Sequence, residues 1–386
     1  MPWESLRERL HGPEGLRVAG VLSGTSADGV DVGLARLRRS GGGWEVPELE
    51  GFRTVPFEDG LGQRVRGLLE GEGAGVREVA LLHRDLGLAF GAAVREVAEA
   101  AAWTPDLVAS HGQTVWHHDG AEPTGPASLQ LGDPARIAEA VGCPVAADFR
   151  AADLAAGGEG APVSAYADDL VFARAPRPLC ILNLGGIANL TWLGGEGALA
   201  FDTGPAGALL DGLARARLGR PLDRDGEAAA RGEVQEEVVA RILRHPFIGS
   251  EPPCSTGRDA FGSAWLGALL ADLEPIPTPD LLASAAEAVA RHAVGGLRWL
   301  PERPRQLLVA GGGVHHPGVM AALERLGGLP ARPSQQVGVD PDAREALVFA
   351  VLGARLVAGE PVTSPAVTGA REGRILGILT PGPLGR

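Results

Sequence analysis

Two apolar runs of strand length, at 17–22 and 30–37, flank a short polar turn, and 44–55 (WEVPELEGFRTV) can complete a three-stranded meander. The spacing then becomes helical over roughly 60–71 and 77–102, where Val79, Leu82, Leu86, Phe90, Val94, Val97 and Ala101 recur three or four residues apart. A short strand at 106–110, a polar turn HGQT, a helix from Asp133 and a strand at 144–149 follow. The same order restarts at 179. Strands LCILNL, IANLTWL and ALAFD are joined by the turns Gly185-Gly186 and GGEG, and a helix over about 206–217 follows Thr203-Gly204-Pro205. Later come a helix over about 280–299, a strand QLLVA ending in Gly311-Gly312-Gly313, and a last helix. That helix is predicted with Asp340 as N-cap, Pro341 at N1, Leu347, Val348, Val351, Leu352 and Leu356 on its apolar face, and Gly359 as C-cap.

A meander followed by alternating helix and strand, twice over, predicts an α/β fold of two similar domains with a cleft between them. The 386 residues suffice for two ordinary cores. No sequence identity links the halves, so the expectation rests on element order alone.

Composition narrows the function classes. A net charge of −13 argues against nucleic acid and anionic membrane surfaces as partners. Cys143, Cys180 and Cys254 are widely spaced and odd in number, which disfavours a disulfide framework or a zinc site. Charged residues break up the first thirty positions and no run of eighteen apolar residues occurs, so a cytoplasmic protein is expected. All 35 basic residues are Arg. The absence of Lys excludes a P-loop, the ATP-binding Lys of protein kinases and a pyridoxal Schiff base. Asn occurs only as Asn183 and Asn189, flanking Gly185-Gly186, where they are expected to satisfy the tight hairpin.

Three glycine-rich turns are the candidate chemistry. The first, Ser23 to Asp31, offers backbone N–H groups, hydroxyls and carboxylates to a polyphosphate and its Mg²⁺, and is otherwise an ordinary hairpin turn. The second, Asp202-Thr203-Gly204-Pro205, can present a carboxylate and helix-end N–H groups to a phosphate, or can simply cap a helix through Asp202 or Thr203. The third is Gly311-Gly312-Gly313, where a purine or ribose can lie against bare backbone. Together they resemble the three-part nucleotide site of the actin-like superfamily of sugar kinases, acetate kinases and chaperone ATPases.

A closer resemblance is carried by GVLSGTSADGVD, SHGQTVWH, QLGDPARIAE, ADFR, DLAAGGEGAPV, LNLGGIANLTWL, FDTGP, STGR, GGGVHHP and PAVTGA, in this order from residue 20 to about 379. These segments resemble the anhydro-N-acetylmuramic acid kinase family. The resemblance implies two actin-like (ribonuclease H-like) domains, expected at 1–160 plus 361–386 and at 161–360. It implies a reaction of ATP, water and 1,6-anhydro-N-acetylmuramic acid that yields N-acetylmuramic acid 6-phosphate and ADP in peptidoglycan recycling. Asp202 matches the catalytic aspartate, expected to draw a proton from water. Gly24, Thr25, Ser26, Ala27, Asp28, Gly29, Val30 and Asp31 match the ATP phosphate loop, and Gly204, Gly311, Gly312 and Gly313 complete the expected nucleotide contacts. Arg150 matches a residue near the sugar's lactyl carboxylate, and Glu345 a sugar-contacting glutamate. His111 and Gln113 are candidates for contacts to sugar hydroxyls or for stabilising their turn. Mg²⁺ is expected mainly on the ATP phosphates, with Asp28 as a candidate ligand, and the resemblance suggests a homodimer.

The chain departs from the family pattern at four places. It reads DTGPAG where relatives usually read DTGPGN, ADFRAAD for ADFRRRD, GGEGAPV for GGQGAPL, and Cys254 where a Lys usually precedes STGR. The lost Arg pair at Ala151-Ala152 bears on sugar or phosphate binding. A kinase for another sugar or small acid is the alternative reading. A chaperone-like switch would need a peptide-binding module, and a sugar-responsive repressor a basic helix-turn-helix; the sequence offers neither.

Overall fold

Two mixed sheets organise the chain. The computed structural model describes all residues except Met1, Thr25, Ser26, Asp59, 70–74, 119–124, Glu196, Arg258, Asp259, Glu274 and 384–386. One compact unit comprises Met1–Arg174 with Ala343–Arg386, the other Ala175–Asp342.

In the first unit, β1 (Leu16–Ser23), β2 (Gly29–Leu37) and β3 (Glu48–Pro56) form the expected antiparallel meander. Next, β4 (Leu107–His118) lies parallel to β1, with β5 (Ala127–Leu131) antiparallel on its second half and β6 (Val145–Ala147) parallel on its first. The sheet order is β3-β2-β1-β4-β6, and the strand Ile378–Thr380 adds antiparallel to β6. The second unit repeats this plan. Here β7 (Leu179–Leu184), β8 (Ile187–Gly194) and β9 (Gly197–Pro205) form the meander, and β10 (Leu307–Ala310) and β11 (Ala331–Pro333) follow in parallel. Its order, β9-β8-β7-β10-β11, is the same 3-2-1-4-5 arrangement. The recurrence legible as element order is therefore a recurrence of topology.

Each sheet is covered by helices whose apolar stripes the sequence announces. Leu82, Leu86, Phe90, Val94 and Val97 of the helix Val76–Ala100 pack with Val21, Val32, Leu34, Val108 and Val145 of the first sheet. In the second unit Leu281, Leu282, Ala285 and Val289 of the helix Thr278–Gly296 share a core with Leu182, Leu190 and Phe201. Burying each large side chain of this kind stabilises by about 1.5–3 kcal/mol.

The last long helix, Arg344–Ala358, belongs to the first unit. It starts later than expected. Asp340 Oδ1 accepts the Asp342 N–H at 3.0 Å in a local turn, so neither Asp340 nor Pro341 opens the helix; Ala343 stands at the N-cap. Gly359, with φ 71°, closes it as expected. The unit boundaries also lie elsewhere than 160/161 and 360/361, because residues 161–174 and 343–360 pack with the first unit. Arg344 is the reason. Its fully buried guanidinium donates from Nε to Asp168 Oδ1 at 3.0 Å and from Nη2 to Asp168 Oδ2, tying this helix to the helix Ala165–Val171. The predicted turn HGQT is also absorbed. It lies inside β4, whose register against β1 shifts between Val21 and Leu22 and which bends at Gly112 (φ 81°).

This helix approaches the sheet at backbone distance. A Cβ on Gly20 of β1 would stand 1.9 Å from the Ala346 carbonyl oxygen, and one on Gly353 would stand 2.7 Å from Ala109 Cβ. Overpacking of this kind costs about 1–3 kcal/mol, more where backbone must move. Gly20→Ala is accordingly expected to destabilise the protein by about 3 kcal/mol in urea unfolding. An unchanged midpoint would show that helix and sheet have room to separate.

Candidate functional site

The first unit holds one group of candidates, at the end of β1 and inside β4. Thr25 and Ser26 of the proposed phosphate turn lie outside the described residues. Around them the Gly24 carbonyl accepts the Ala27 N–H at 3.2 Å, and Ala27 adopts φ 51°. Arg66 Nη1 donates to the Ala27 carbonyl at 2.8 Å, and the Asp28 carbonyl accepts the Phe57 N–H at 3.0 Å. Beyond Asp28 the expectation fails in part. A Cβ on Gly29 would lie 2.6 Å from the Val55 carbonyl oxygen, so glycine there serves the approach of β2 to β3, not an open phosphate surface. Val30 is a core residue, and Asp31 Oδ1 accepts Thr54 Oγ1 at 2.6 Å. The expected phosphate surface is therefore cut back to the residues before Gly29.

His111 and Arg150 meet directly. Arg150 Nε donates to His111 Nε2 at 3.1 Å while its Nη1 donates to the Gly160 carbonyl at 3.0 Å, and the imidazole stacks on Phe349 with centroids 4.4 Å apart. Burial, reinforced by the Arg150 charge, holds His111 well below the usual imidazole range. It is neutral, with its proton on Nδ1 because Nε2 accepts. Glu345 lies one helical turn before Phe349, on the same face of the 344–358 helix. Gln113 stands opposite Ser23 in the β1–β4 register; it donates from Nε2 to the Thr114 carbonyl at 3.1 Å. Gln113 Oε1 and Ser23 Oγ are buried with no hydrogen-bond partner among the described residues, an arrangement that suits polar ligand groups or water.

The second unit holds the other group. Asp202, buried near the end of β9, accepts the Thr256 N–H on Oδ2 at 2.8 Å and donates its own N–H to the Cys254 carbonyl at 3.0 Å. The segment 254–256 thus runs alongside the carboxylate and fixes it. Neither Asp202 nor Thr203 caps the following helix, Gly207–Leu218, whose N-cap is Ala206 with no side-chain bond. The helix-end N–H groups expected to face a phosphate are already taken. Ala206 and Ala208 donate to the Gly186 carbonyl at 2.9 and 3.0 Å, and Gly207 to the Gly185 carbonyl at 2.9 Å. What the turn offers is the carboxylate. These helix N–H groups also tie down the Gly185-Gly186 hairpin, whereas Asn183 and Asn189 sit opposite each other in the β7–β8 ladder.

One residue that the sequence reading passed over, His292, locks this turn. Its ring nitrogen Nδ1 lies 3.1 Å from Thr203 Oγ1 and its Nε2 lies 2.9 Å from the Pro205 carbonyl, so a neutral ring donates to Pro205 and accepts from Thr203. The ring fills the space beside Gly204, where a Cβ would come within 3.2 Å of it. Burial pushes His292 down to about 4. The available signal was a polar residue at a core position of the 280–299 helix. In the third turn the glycines divide. Gly311 and Gly313 pack on Leu184, and Gly312 alone of the three has open space where its Cβ would be.

A neutral imidazole held by Arg in the first unit and, in the second, a buried carboxylate and open glycine backbone each suit a small-molecule enzyme. The family model for anhydro-N-acetylmuramic acid kinase matches residues 16–382, and the chain belongs to that family. Relatives of that name include those of Gloeobacter violaceus, 40% identical over 94% of this chain and 98% of its own length, and of Streptomyces coelicolor, 41% identical over 95% and 94%. The Salinibacter ruber relative is 40% identical over 97% of this chain and 98% of its own. Among the described residues no helix is long and apolar enough to cross a membrane.

His292 yields a pH prediction. Its folded pKa lies below its unfolded value, so the unfolded chain gains a proton first as pH falls, and stability present above about pH 6.5 is lost down to about pH 4. Over that interval His292→Gln is expected to lose about 3 kcal/mol less than the parent. Parallel stability curves would show that His292 is not buried neutral.

Proposed function

We propose that this chain is an ATP-dependent kinase that opens 1,6-anhydro-N-acetylmuramic acid with water at C1 and phosphorylates O6, giving N-acetylmuramic acid 6-phosphate and ADP. The observation that supports it most is the buried, backbone-held carboxylate of Asp202, at the position of the family's catalytic aspartate. Asp202 takes a proton from the attacking water as the C1–O6 bond breaks. The O6 electron pair then forms the new bond to the γ-phosphorus, and ADP leaves. A glycosidase would need a second carboxylic acid to protonate O6. Here phosphoryl transfer captures it, so one base suffices.

The remaining assignments follow the chemistry of each group. Arg150 pairs with the lactyl carboxylate and Glu345 with a sugar hydroxyl. Neutral His111 donates from Nδ1 and Gln113 accepts on Oε1, so both suit hydroxyl or amide groups of the sugar. The turn Gly24-Thr25-Ser26-Ala27-Asp28 meets the ATP phosphates, while Gly204 and the Gly311-Gly312-Gly313 turn meet the nucleotide, with Gly312 offering the open backbone. Among the described residues no group of three His, Cys, Asp or Glu could hold a metal ion. Mg²⁺ therefore fits on the ATP phosphates, with Asp28, exposed at the end of the turn, as a protein ligand; it would neutralise phosphate charge. Two actin-like domains, a cytoplasmic homodimer and a role in peptidoglycan recycling complete the reading.

Incubation with Mg·ATP and the anhydro sugar should yield a product heavier by phosphate plus water. In ¹⁸O-water the label should enter the anomeric hydroxyl and not the phosphoryl group. Asp202→Asn should lower turnover by about 10²–10⁴-fold or more with ATP affinity retained. Label in the phosphate, or near-normal turnover of Asp202→Asn, would refute the mechanism; a mass gain of phosphate alone, on another sugar, would favour a plain kinase. Gly24→Val should weaken ATP binding in a folded protein, whereas Gly29→Val should first impair folding, through the Val55 carbonyl. Unaltered ATP affinity in Gly24→Val would remove the turn from the nucleotide site.

A further inference from the structure

Three polar side chains are buried together in the first unit at a place no strand requires. Asp153 and Thr368 are fully buried and Tyr166 nearly so. Thr368 Oγ1 donates to Asp153 Oδ1 at 2.7 Å, and the Tyr166 hydroxyl lies 2.9 Å from Thr368 Oγ1 and 3.4 Å from the same carboxylate oxygen. The Ser364 N–H donates to the Tyr166 oxygen at 3.2 Å. The second carboxylate oxygen, Oδ2, accepts the Gly160 N–H at 2.9 Å and leans on the bare Cα of Gly158, where a Cβ would come within 2.3 Å. Burying a carboxylate and two hydroxyls costs more than burying apolar groups of the same size unless every polar atom is paired. Here the pairing leads outward through the backbone of one residue. Gly160, whose N–H Asp153 holds, gives its carbonyl to Arg150 Nη1, and Arg150 Nε in turn holds His111.

We propose that Thr368, Tyr166 and Asp153 are positioning residues that set the Arg150 guanidinium, and through it His111, for binding the anionic group of the substrate. The chain of contacts runs Thr368 hydroxyl, Asp153 carboxylate, Gly160 N–H and carbonyl on successive peptide planes, Arg150 guanidinium, His111 imidazole. Gly160 is held on both sides, its N–H by Asp153 and its carbonyl by Arg150, so only rotation about the two bonds at its Cα is left between the two contacts. The guanidinium then loses little rotamer freedom when it meets a carboxylate. Losing the hydroxyl of Thr368 loosens Asp153 and with it the Gly160 backbone, so part of the ordering of Arg150 falls to the ligand.

This assignment rests on the proposed role of Arg150 toward a sugar acid, so its test has an arm that needs no substrate. In the full-length protein, Thr368→Val is expected to raise KM for the anhydro sugar acid about tenfold, with kcat and KM for ATP within about twofold of the parent; Thr368→Ser should restore the parent value. In an Arg150→Ala background, Thr368→Val should add less than about twofold, since both changes remove the same contact. The ¹⁵N shift of His111 Nε2, measured without ligand, should move in Thr368→Val and return in Thr368→Ser. Should Thr368→Val not fold, Tyr166→Phe, which deletes one hydroxyl, should give the same pattern with a smaller KM rise. An unchanged His111 shift, a sugar KM within about twofold of the parent, or full additivity with Arg150→Ala would each overturn the relay. A parent protein that does not turn over the sugar would refute the activity instead, and the His111 shift would still decide the relay.

Discussion

The first unit depends on how closely its last long helix can lie against its sheet. Gly20 and Gly353 remove the two side chains that would hold the backbones apart, and Ala346 and Ala109 are small where they meet them. That approach carries the rest of the helix with it. It puts Phe349 in stacking contact with His111 and brings Arg344 to Asp168, so an aromatic face and a fully buried ion pair both depend on missing Cβ atoms. A buried pair of this kind adds little net stability when intact, but losing one partner costs about 3–5 kcal/mol. Its effect is to fix one position of the helix that bears Glu345.

Buried polar groups hold the candidate chemistry in the second unit by the same logic. His292 sits among apolar neighbours, stays neutral to about pH 4, and spends both ring nitrogens on the turn that follows Asp202. The segment 254–256 holds the carboxylate from its other side. Neither device carries charge into the interior. The catalytic candidate is in contact with backbone, the Thr256 N–H on its carboxylate and the Cys254 carbonyl on its own N–H. In the first unit the candidate cation is Arg150, which donates to the Gly160 carbonyl and to the His111 imidazole. A protein of net charge −13 has to supply the cation for an incoming anion locally.

The repeated meander, the parallel strands after it and the apolar faces of the long helices were legible in the sequence, because strand and helix periods are local properties of neighbouring residues. Gly359 ended its helix for the same local reason. Three local readings failed where a distant backbone competed. Gly29 is glycine because β3 lies close, the helix after Pro205 is capped by hairpin carbonyls and not by Asp202, and HGQT continues a strand because β1 and β5 pair with it.

Sequence alone also singled out Asp202, Arg150 and His111, which stand in the family-like segments FDTGP, ADFR and SHGQTVWH, and Glu345, matched by its place at the start of the last long helix. Their partners were not legible. Arg344 reaches Asp168 across 176 positions, His292 reaches Thr203 across 89, and Thr368 reaches Asp153 across 215. Periodicity records which face of an element is buried, but a hydrogen bond between two buried side chains depends on how separate elements pack to within an ångström. That spacing is decided by glycines, backbone carbonyls and ring stacking brought together from distant segments, and only the folded chain contains it.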